Sequence, residues 1–286
     1  MTDIRPMRAG DEEGAEAAWD QAYRTLLVEN HLPTMARTPE LIDWGRRRMG
    51  HLQATDPAGC WVAEDKDHIV GIAQAHIRGE VWVLATLGVI PGFQDQGIGH
   101  ELLDRTLAYG DPASPGAIFA SPDPRAIYRY VSAGFELHPT ATAFGPVGKP
   151  IHPQVGIREG SVADTNYVHD IDRTVRGADR GTDIEFQLSV GCQLLIDEEG
   201  GYAVIRKGNI AMLSALDENA ATRLLLAGFA KCPPESPAGV GWITGDQQWA
   251  VRAVAKAGIP IYVHEAILMR GRWQPKLPYL PNGIFG

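Results

Sequence analysis

Between Leu87 and Leu103 the chain reads Leu87-Gly88-Val89-Ile90-Pro91-Gly92-Phe93-Gln94-Asp95-Gln96-Gly97-Ile98-Gly99-His100-Glu101-Leu102-Leu103, and these residue types suit the capture of an anion. A β-rich run ends at Pro91, a polar turn follows, and Ile98, Leu102, Leu103 and Leu107 then recur at helical spacing. The pattern predicts a strand, a tight loop and a helix N-terminus. The first turn of a helix has unpaired N–H donors, and its dipole favours negative charge there. Gly97 and Gly99 lack the Cβ atoms that would hold a phosphate away from those amides. A pyrophosphate is the natural guest, and a plain glycine turn capping a helix is the competing reading. A Rossmann fingerprint would need a third glycine where Leu102 stands, and no Gly-x-x-x-x-Gly-Lys-Ser/Thr occurs anywhere.

A second group of residues lies downstream, in Asp123-Pro-Arg-Ala126-Ile-Tyr-Arg-Tyr130-Val-Ser-Ala-Gly134-Phe135. The two segments together resemble the GNAT superfamily of N-acetyltransferases. That family's cofactor loop reads Arg/Gln-x-x-Gly-x-Gly/Ala after a Val-x-Pro strand end, matched here by Val89-Ile90-Pro91 and Gln94 to Gly99. Its later motif, Asn-x-x-Ala-x-x-x-Tyr ending in Gly-Phe, is matched except that Asp123 replaces the Asn. A carboxylate can only accept, so any side-chain N–H that the family directs at the cofactor is missing.

The resemblance spans roughly residues 1–144 and implies acetyl-CoA as co-substrate. It implies that the backbone of Leu87, Gly88 and Val89 lies against the pantetheine arm like a missing strand, with the thioester carbonyl near the Val89 amide. Gln94, Asp95, Gln96, Gly97, Ile98, Gly99 and His100 would form the pyrophosphate loop, with Asp123 close by. Tyr130 would stand near the sulfur as the general acid in a direct transfer to a neutral amine. A core Tyr is the plainer reading, because Ile127 and Val131 flank it at helical spacing. Tyr128 points roughly to the other side of the same helix.

The base is less legible. Where some GNAT enzymes carry a carboxylate before the loop, this chain has Val83; Glu80 and His76 lie near the same hairpin but read as exposed turn positions. Arg46-Arg47-Arg48 could grip an acidic acceptor, although a solvated helix face accounts for the run. The connection from Glu29 to Arg37, with Asn30, His31, Pro33 and Met35, is the expected specificity segment. Nine His residues show no ligand-like pair, so no metal is expected.

These residues require a scaffold. Strand-like runs at Cys60–Glu64, Ile69–Ile77 and Val81–Ile90 precede a helix from Gly97 to about Tyr109. A strand at Ala117–Ser121, a helix at Pro124–Ser132 and a strand from Phe135 follow. The order predicts an α/β fold with a mixed sheet flanked by helices. Gly145 to Pro153, rich in Gly and Pro, marks a seam, and the chain partly repeats across it. Ile4-Arg5 with Asp11 matches Ile157-Arg158 with Asp164, each Asp expected to cap a helix, and Tyr130 to Phe135 matches Val254 to Ile259. Two tandem GNAT-like domains are expected, 1–145 and 155–286, with 146–154 as linker.

The second copy has lost the chemistry. Its loop, Ala211 to Leu224, lacks the glycines, and Asp217 and Glu218 stand where a phosphate would need amides. Val254 replaces Tyr130, and Gln247 replaces Asp123. One acetyl-CoA per chain is expected. The closing segment Leu277–Gly286 is too apolar and Pro-rich for a free tail; it is expected to pack on a groove, near the acceptor site or as a structural strap.

With 286 residues, 44% hydrophobic and 21% charged, the chain is long enough for two globular domains. Its net charge of −9 argues against nucleic-acid or anionic-lipid partners, and the longest apolar run, Val81 to Ile90, is too short to span a bilayer. The first 145 residues hold 12 Lys+Arg against 20 Asp+Glu, which suits a cationic acceptor or simply a solvated surface. Three dispersed cysteines and a polar N-terminus suggest a cytoplasmic protein. The expected function is acetyl transfer to the primary amine of a small molecule or a peptide N-terminus, by a monomer or homodimer. A non-catalytic acyl-CoA sensor and a mycothiol-synthase-like enzyme are the alternatives.

Overall fold

A computed structural model of the chain describes residues 2–32, 36–234, 236–271, 273 and 275–286. The first half runs β1 (Asp3–Pro6), α1 (Glu12–Glu29), α2 (Pro39–Thr55), β2 (Cys60–Asp65), β3 (His68–Arg78), β4 (Val81–Val89), α3 (Ile98–Leu107), β5 (Gly116–Ala120), α4 (Pro124–Ser132) and β6 (Glu136–Gly145). The second half repeats the order with β7 (Ile157–Gly160), α5 (Thr165–Val175), α6 (Asp183–Ser189), β8 (Gln193–Asp197), β9 (Gly201–Arg206), β10 (Asn209–Ala215), α7 (Glu218–Ala230), β11 (Ala238–Thr244), α8 (Gln248–Ala257) and β12 (Ile261–Arg270). A short β13 (Tyr279–Leu280) follows. The helix and strand boundaries read from periodicity agree with these to within one or two residues.

The sequence repeat has a physical basis. Arg5 donates to Asp11 at 2.7 Å and to Glu64 at 2.5 Å, tying β1 to the start of α1 and the end of β2. Arg158 does the same in the second copy, reaching Asp164 at 2.7 Å and Glu198 at 2.8 Å. One expectation needs correcting. Asp11 stands at the N-cap of α1 but makes no side-chain cap bond, because its carboxylate is taken by Arg5 and by the Arg8 amide at 2.7 Å. Asp164 likewise stands at the N-cap of α5 without a side-chain cap bond; its carboxylate is engaged in a capping box with Ser161 that closes the preceding 3₁₀ turn, Val162–Asp164.

The halves are not joined as beads. Their strands form one sheet in the order β1-β2-β3-β4-β5-β12-β6-β11-β10-β9-β8-β7. The last strand of each half has crossed to the other: β12 pairs antiparallel with β5, β6 with β11, and β12 and β6 with each other. Side chains on successive residues of a strand point to opposite faces, and the register assigns them. Val83, Phe119 and Ile267 join the core under α1 and α2, whereas Leu84, Ile118, Ala120 and Ala266 pack beneath α3 and α4. Buried polar groups also join the halves. Arg78 Nε donates to Asp183 at 2.7 Å, and Arg78 Nη1 donates to Asp56 at 2.8 Å. His51 Nε2 donates to the other Asp183 oxygen at 2.8 Å.

Candidate active site

β4 and β5 run parallel for only three pairs, Trp82 with Gly116, Val83 with Ala117 and Leu84 with Ile118, and then diverge. The divergence starts at a bulge: β4 pairs with β3 through Leu84 opposite Ala75 and resumes with Thr86 opposite Gln74, so Ala85 is extra. A bulge bends its strand and increases the local twist. Beyond it the β5 side of Ala85–Val89 has no strand partner among the described residues, so a row of backbone N–H and C=O groups faces a gap.

At the mouth of this gap the chain turns into α3. Asp95 and Gly97 both take positive φ, +61° and +84°, and Gly97 is the N-cap. That turn is suited to glycine at position 97, where a side chain would be strained. The amides of Gln96, Gly97, Ile98 and Gly99 have no protein acceptor among the described residues, whereas that of His100 bonds to the Gly97 carbonyl at 3.0 Å. Successive free amides in alternating turn conformation make an anion-binding concavity. A Cβ at Gly99 would come within 2.5 Å of Arg129 Nη1, so a side chain there would push the end of that arginine off the loop.

The residues singled out in the sequence divide into two groups. Leu87, Gly88, Val89, Gln94, Asp95, Gly99, Asp123 and Tyr130 line one cleft. Gln96, Gly97 and His100 are exposed, and Ile98 is buried beneath the loop. Gln96 shapes the turn by donating to the Gly92 carbonyl at 2.9 Å, and His100 faces Asp104 at 3.4 Å. Gln94 is likewise structural in part, donating to the Val89 carbonyl at 2.9 Å. Asp123 caps α4 by accepting from the Arg125 amide at 2.9 Å. Arg125 and Arg129, one turn apart on α4, lean over the loop and line the same cleft. Neither stands within the motif positions of the sequence; their i,i+4 spacing beside the motif is the signal that marks them.

Tyr130 is 6% exposed and packs with Leu84 and Ala120, and its hydroxyl has no hydrogen-bond partner among the described residues. Burial, reinforced by the Asp123 carboxylate, pushes its phenol pKa well up. Tyr128, two residues earlier, is 74% exposed.

On the far side the cleft opens into a chamber of about 400 Å³ that shares Leu87–Val89 and Tyr130 with it. Its walls come from both halves: Trp19 and Tyr23 on α1, Trp44 on α2, Phe119 on β5, Trp242 on β11, Glu265 on β12, and Asn282, Gly283 and Ile284 of the tail. Burial pushes the Glu265 carboxyl up, opposed by the Thr142 hydroxyl that donates to it, and burial pushes Tyr23 up to about 12.

Several expectations about the acceptor side change. Glu80 is exposed on its turn, but His76 is fully buried and donates through Nε2 to the Ile284 carbonyl at 2.8 Å. It is held neutral, its pKa lowered by burial to about 4. Of the three arginines, Arg46 and Arg47 lie on the helix surface; Arg48 is wholly buried between Trp19 and Trp44, 5.0 and 5.5 Å from their ring centres. Pro33 and Met35 of the expected specificity segment lie outside the described residues.

The corresponding place in the second half is closed. β10 leaves β11 after two pairs, yet its free edge is taken by β13, with Leu213 opposite Leu280 and Ser214 opposite Tyr279. Asp217 accepts from the Asn219 and Ala220 amides at 2.8 and 2.9 Å, covering the α7 N-terminus. Val254 is buried in the core, and Gln247 accepts from the Tyr279 amide at 3.1 Å.

Residues 19–135 match the profile of the acetyltransferase (GNAT) family. Among solved structures, an acetyltransferase from Pyrococcus horikoshii described as putative superposes with a TM-score of 0.81 at 20% identity, covering 100% of this chain and 96% of that one. A GCN5-related N-acetyltransferase from Sphaerobacter thermophilus gives 0.57 at 12%, with 96% and 97% covered. A tandem GNAT protein from the clavulanic acid biosynthesis pathway gives 0.59 at 13%, with 94% and 98% covered. At these identities the likeness is one of fold. No curated protein in the comparison matches significantly.

Proposed function

We propose that the chain, with a match to the GNAT acetyltransferase family over residues 19–135 inside a tandem GNAT-like fold, is an acetyl-CoA-dependent N-acetyltransferase with one working site, between β4 and β5. The observation that carries this reading is the gap itself. Unpaired backbone of Ala85–Val89, free loop amides and the Tyr130 hydroxyl converge on one continuous cleft. Pantetheine bonded along β4 would stand in for the missing strand, and its pyrophosphate would meet the amides of Gln96–Gly99 with Arg129 above them.

In the reaction the amine nitrogen attacks the thioester carbon, so a C–N bond forms and the C–S bond breaks. The Val89 amide polarises the carbonyl oxygen. Tyr130 gives its proton to the departing sulfur. Its raised pKa keeps the phenol protonated and so able to donate.

Residues 1–145 hold the acetyl-CoA site on this reading. The second half, from about residue 155, contributes β12, Trp242 and the tail rather than a second cofactor site. The β13 strand and the Asp217 cap support that division. Thiol release from acetyl-CoA in the presence of primary amines tests the function. Amine-dependent release is expected, and tight acetyl-CoA binding without turnover on any amine would make the protein a sensor.

A further inference from the structure

The chamber runs through the β4–β5 gap, from Gln94 and Tyr130 on the face of the cofactor loop to Trp19, Phe119 and Glu265 on the opposite face of the sheet. Glu265 precedes Ala266, which pairs with Ala120 and packs under α4, so Glu265 points the other way, to the face of Phe119 and Ile267. Tyr130 belongs to the α4 face. The two groups therefore approach the β4–β5 gap from its two sides.

Aromatic rings dominate the chamber. Trp19 stacks on Tyr23 with centroids 5.1 Å apart, and Phe119 meets Trp242 edge-on at 5.7 Å. Trp242 is held at φ +51°, a conformation costly for a bulky residue, and its indole N–H is buried with no partner among the described residues. The tail fixes it there: a Cβ on Gly283 would come within 2.2 Å of the Trp242 ring. Strain of this kind collects at ligand sites. Against these rings stands one half-buried carboxylate, Glu265, its only hydrogen-bond partner among the described residues being Thr142. The other charged residues of the wall, Glu29, Asp123 and Arg125, stand towards solvent at the mouth. Arg48, sandwiched behind Trp19 and Trp44, is not part of the wall.

Resting on the acetyltransferase reading above, we infer that the acceptor is a small primary amine on an aromatic or aliphatic body, its ammonium held by Glu265 and its body by Trp19, Tyr23, Phe119 and Trp242. Aromatic faces attract cations and bury apolar carbon, and a desolvated carboxylate selects one ammonium. A polyamine would leave further charges unpaired among the rings, and a zwitterion would bring a carboxylate deep among the rings, away from Arg125, the cation of the described wall, which stands at the mouth paired with Asp123. Glu265 accepts one proton from the ammonium and releases it to solvent, freeing the lone pair for attack. The second proton lost by nitrogen as the amide forms returns, by way of solvent, to the Tyr130 oxygen that protonated sulfur.

The test uses the full chain with acetyl-CoA and three amines, 2-phenylethylamine, spermidine and glycylglycine, read by thiol release, with acetyl-CoA binding measured separately by calorimetry. The expected kcat/KM for 2-phenylethylamine exceeds the other two by at least about tenfold. Glu265→Gln should lower it at least about tenfold with acetyl-CoA affinity unchanged. It should also remove the acid limb of the pH profile; Tyr23 on α1, Thr142 on β6 and His264 on β12 are the groups facing that carboxyl and remain in place. Trp242→Phe, which keeps a ring, should raise KM more than it lowers kcat. A preference for spermidine or glycylglycine with normal acetyl-CoA binding would overturn the inference and leave the acetyltransferase reading standing, as would an unaffected Glu265→Gln. Absence of acetyl-CoA binding would overturn both.

Discussion

Replacing Tyr130 by Phe removes one hydroxyl from the cleft wall and nothing else. The ring's contacts with Leu84 and Ala120 persist, and the lost oxygen has no protein partner among the described residues, so no buried group is orphaned by the change. Stability should therefore stay within about 0.5 kcal/mol of the parent. Acetyl-CoA affinity should stay within about threefold, because the loop amides and Arg129 hold the phosphates. The chemistry should suffer: general acid catalysis contributes about 10²–10⁴-fold, and water can replace part of it, so kcat should fall at least about tenfold. Loss confined to kcat and shared by kcat/KM marks an interaction made only in the transition state. Steady-state thiol release, with thermal unfolding run in parallel, measures all of these. Tyr128→Phe is the control, since that side chain is 74% exposed and should change nothing. A Tyr130→Phe enzyme with kcat within twofold of the parent would refute the assignment and leave protonation to water.

Two further outcomes follow from the packing. His76 is buried neutral with its pKa lowered to about 4 from an ordinary 6.5, so the folded state binds fewer protons than the unfolded one between those values. Stability is then complete above pH 6.5 and declines by up to roughly 3 kcal/mol towards pH 4, seen as a fall of several degrees in Tm that His76→Gln should flatten; a Tm level across that window would contradict it. Isolated residues 1–145 lose β12 from between β5 and β6, and with it Glu265 and the tail wall, so they should be less stable and at least about a hundredfold less active. Full activity in that fragment would show that the second half contributes nothing to catalysis.

What the sequence revealed was local. Strand, loop and α3 could be placed because the Val-x-Pro end, the glycines and the Ile98–Leu102 spacing all lie within one short segment, and Tyr128 and Tyr130 separate by helical period alone. The acceptor side could not be placed this way. Glu265 and Trp242 reach the chamber only because β12 crossed to β5 and β6 to β11, and no periodicity in either strand specifies which neighbour it pairs with. The run of three arginines read as a solvated face, but Arg48 turns inward to its tryptophans, a tertiary contact that a charge run conceals. His76 looked like a turn residue two positions from its hairpin; the tail that buries it comes from 208 residues away. The Asp217 cap was legible, as N-caps generally are, whereas the β13 strand that seals the second cleft was not, since a two-residue strand among prolines carries no pattern.

The central claim is one cofactor site per chain, at the α3 loop. Calorimetric titration of acetyl-CoA into the intact protein addresses it directly, beside Gly99→Glu, where a carboxylate would displace Arg129 and enter the phosphate position. A stoichiometry of one is expected for the parent, and no measurable binding in the folded variant. Two equivalent sites per chain, or unchanged affinity in folded Gly99→Glu, would contradict it.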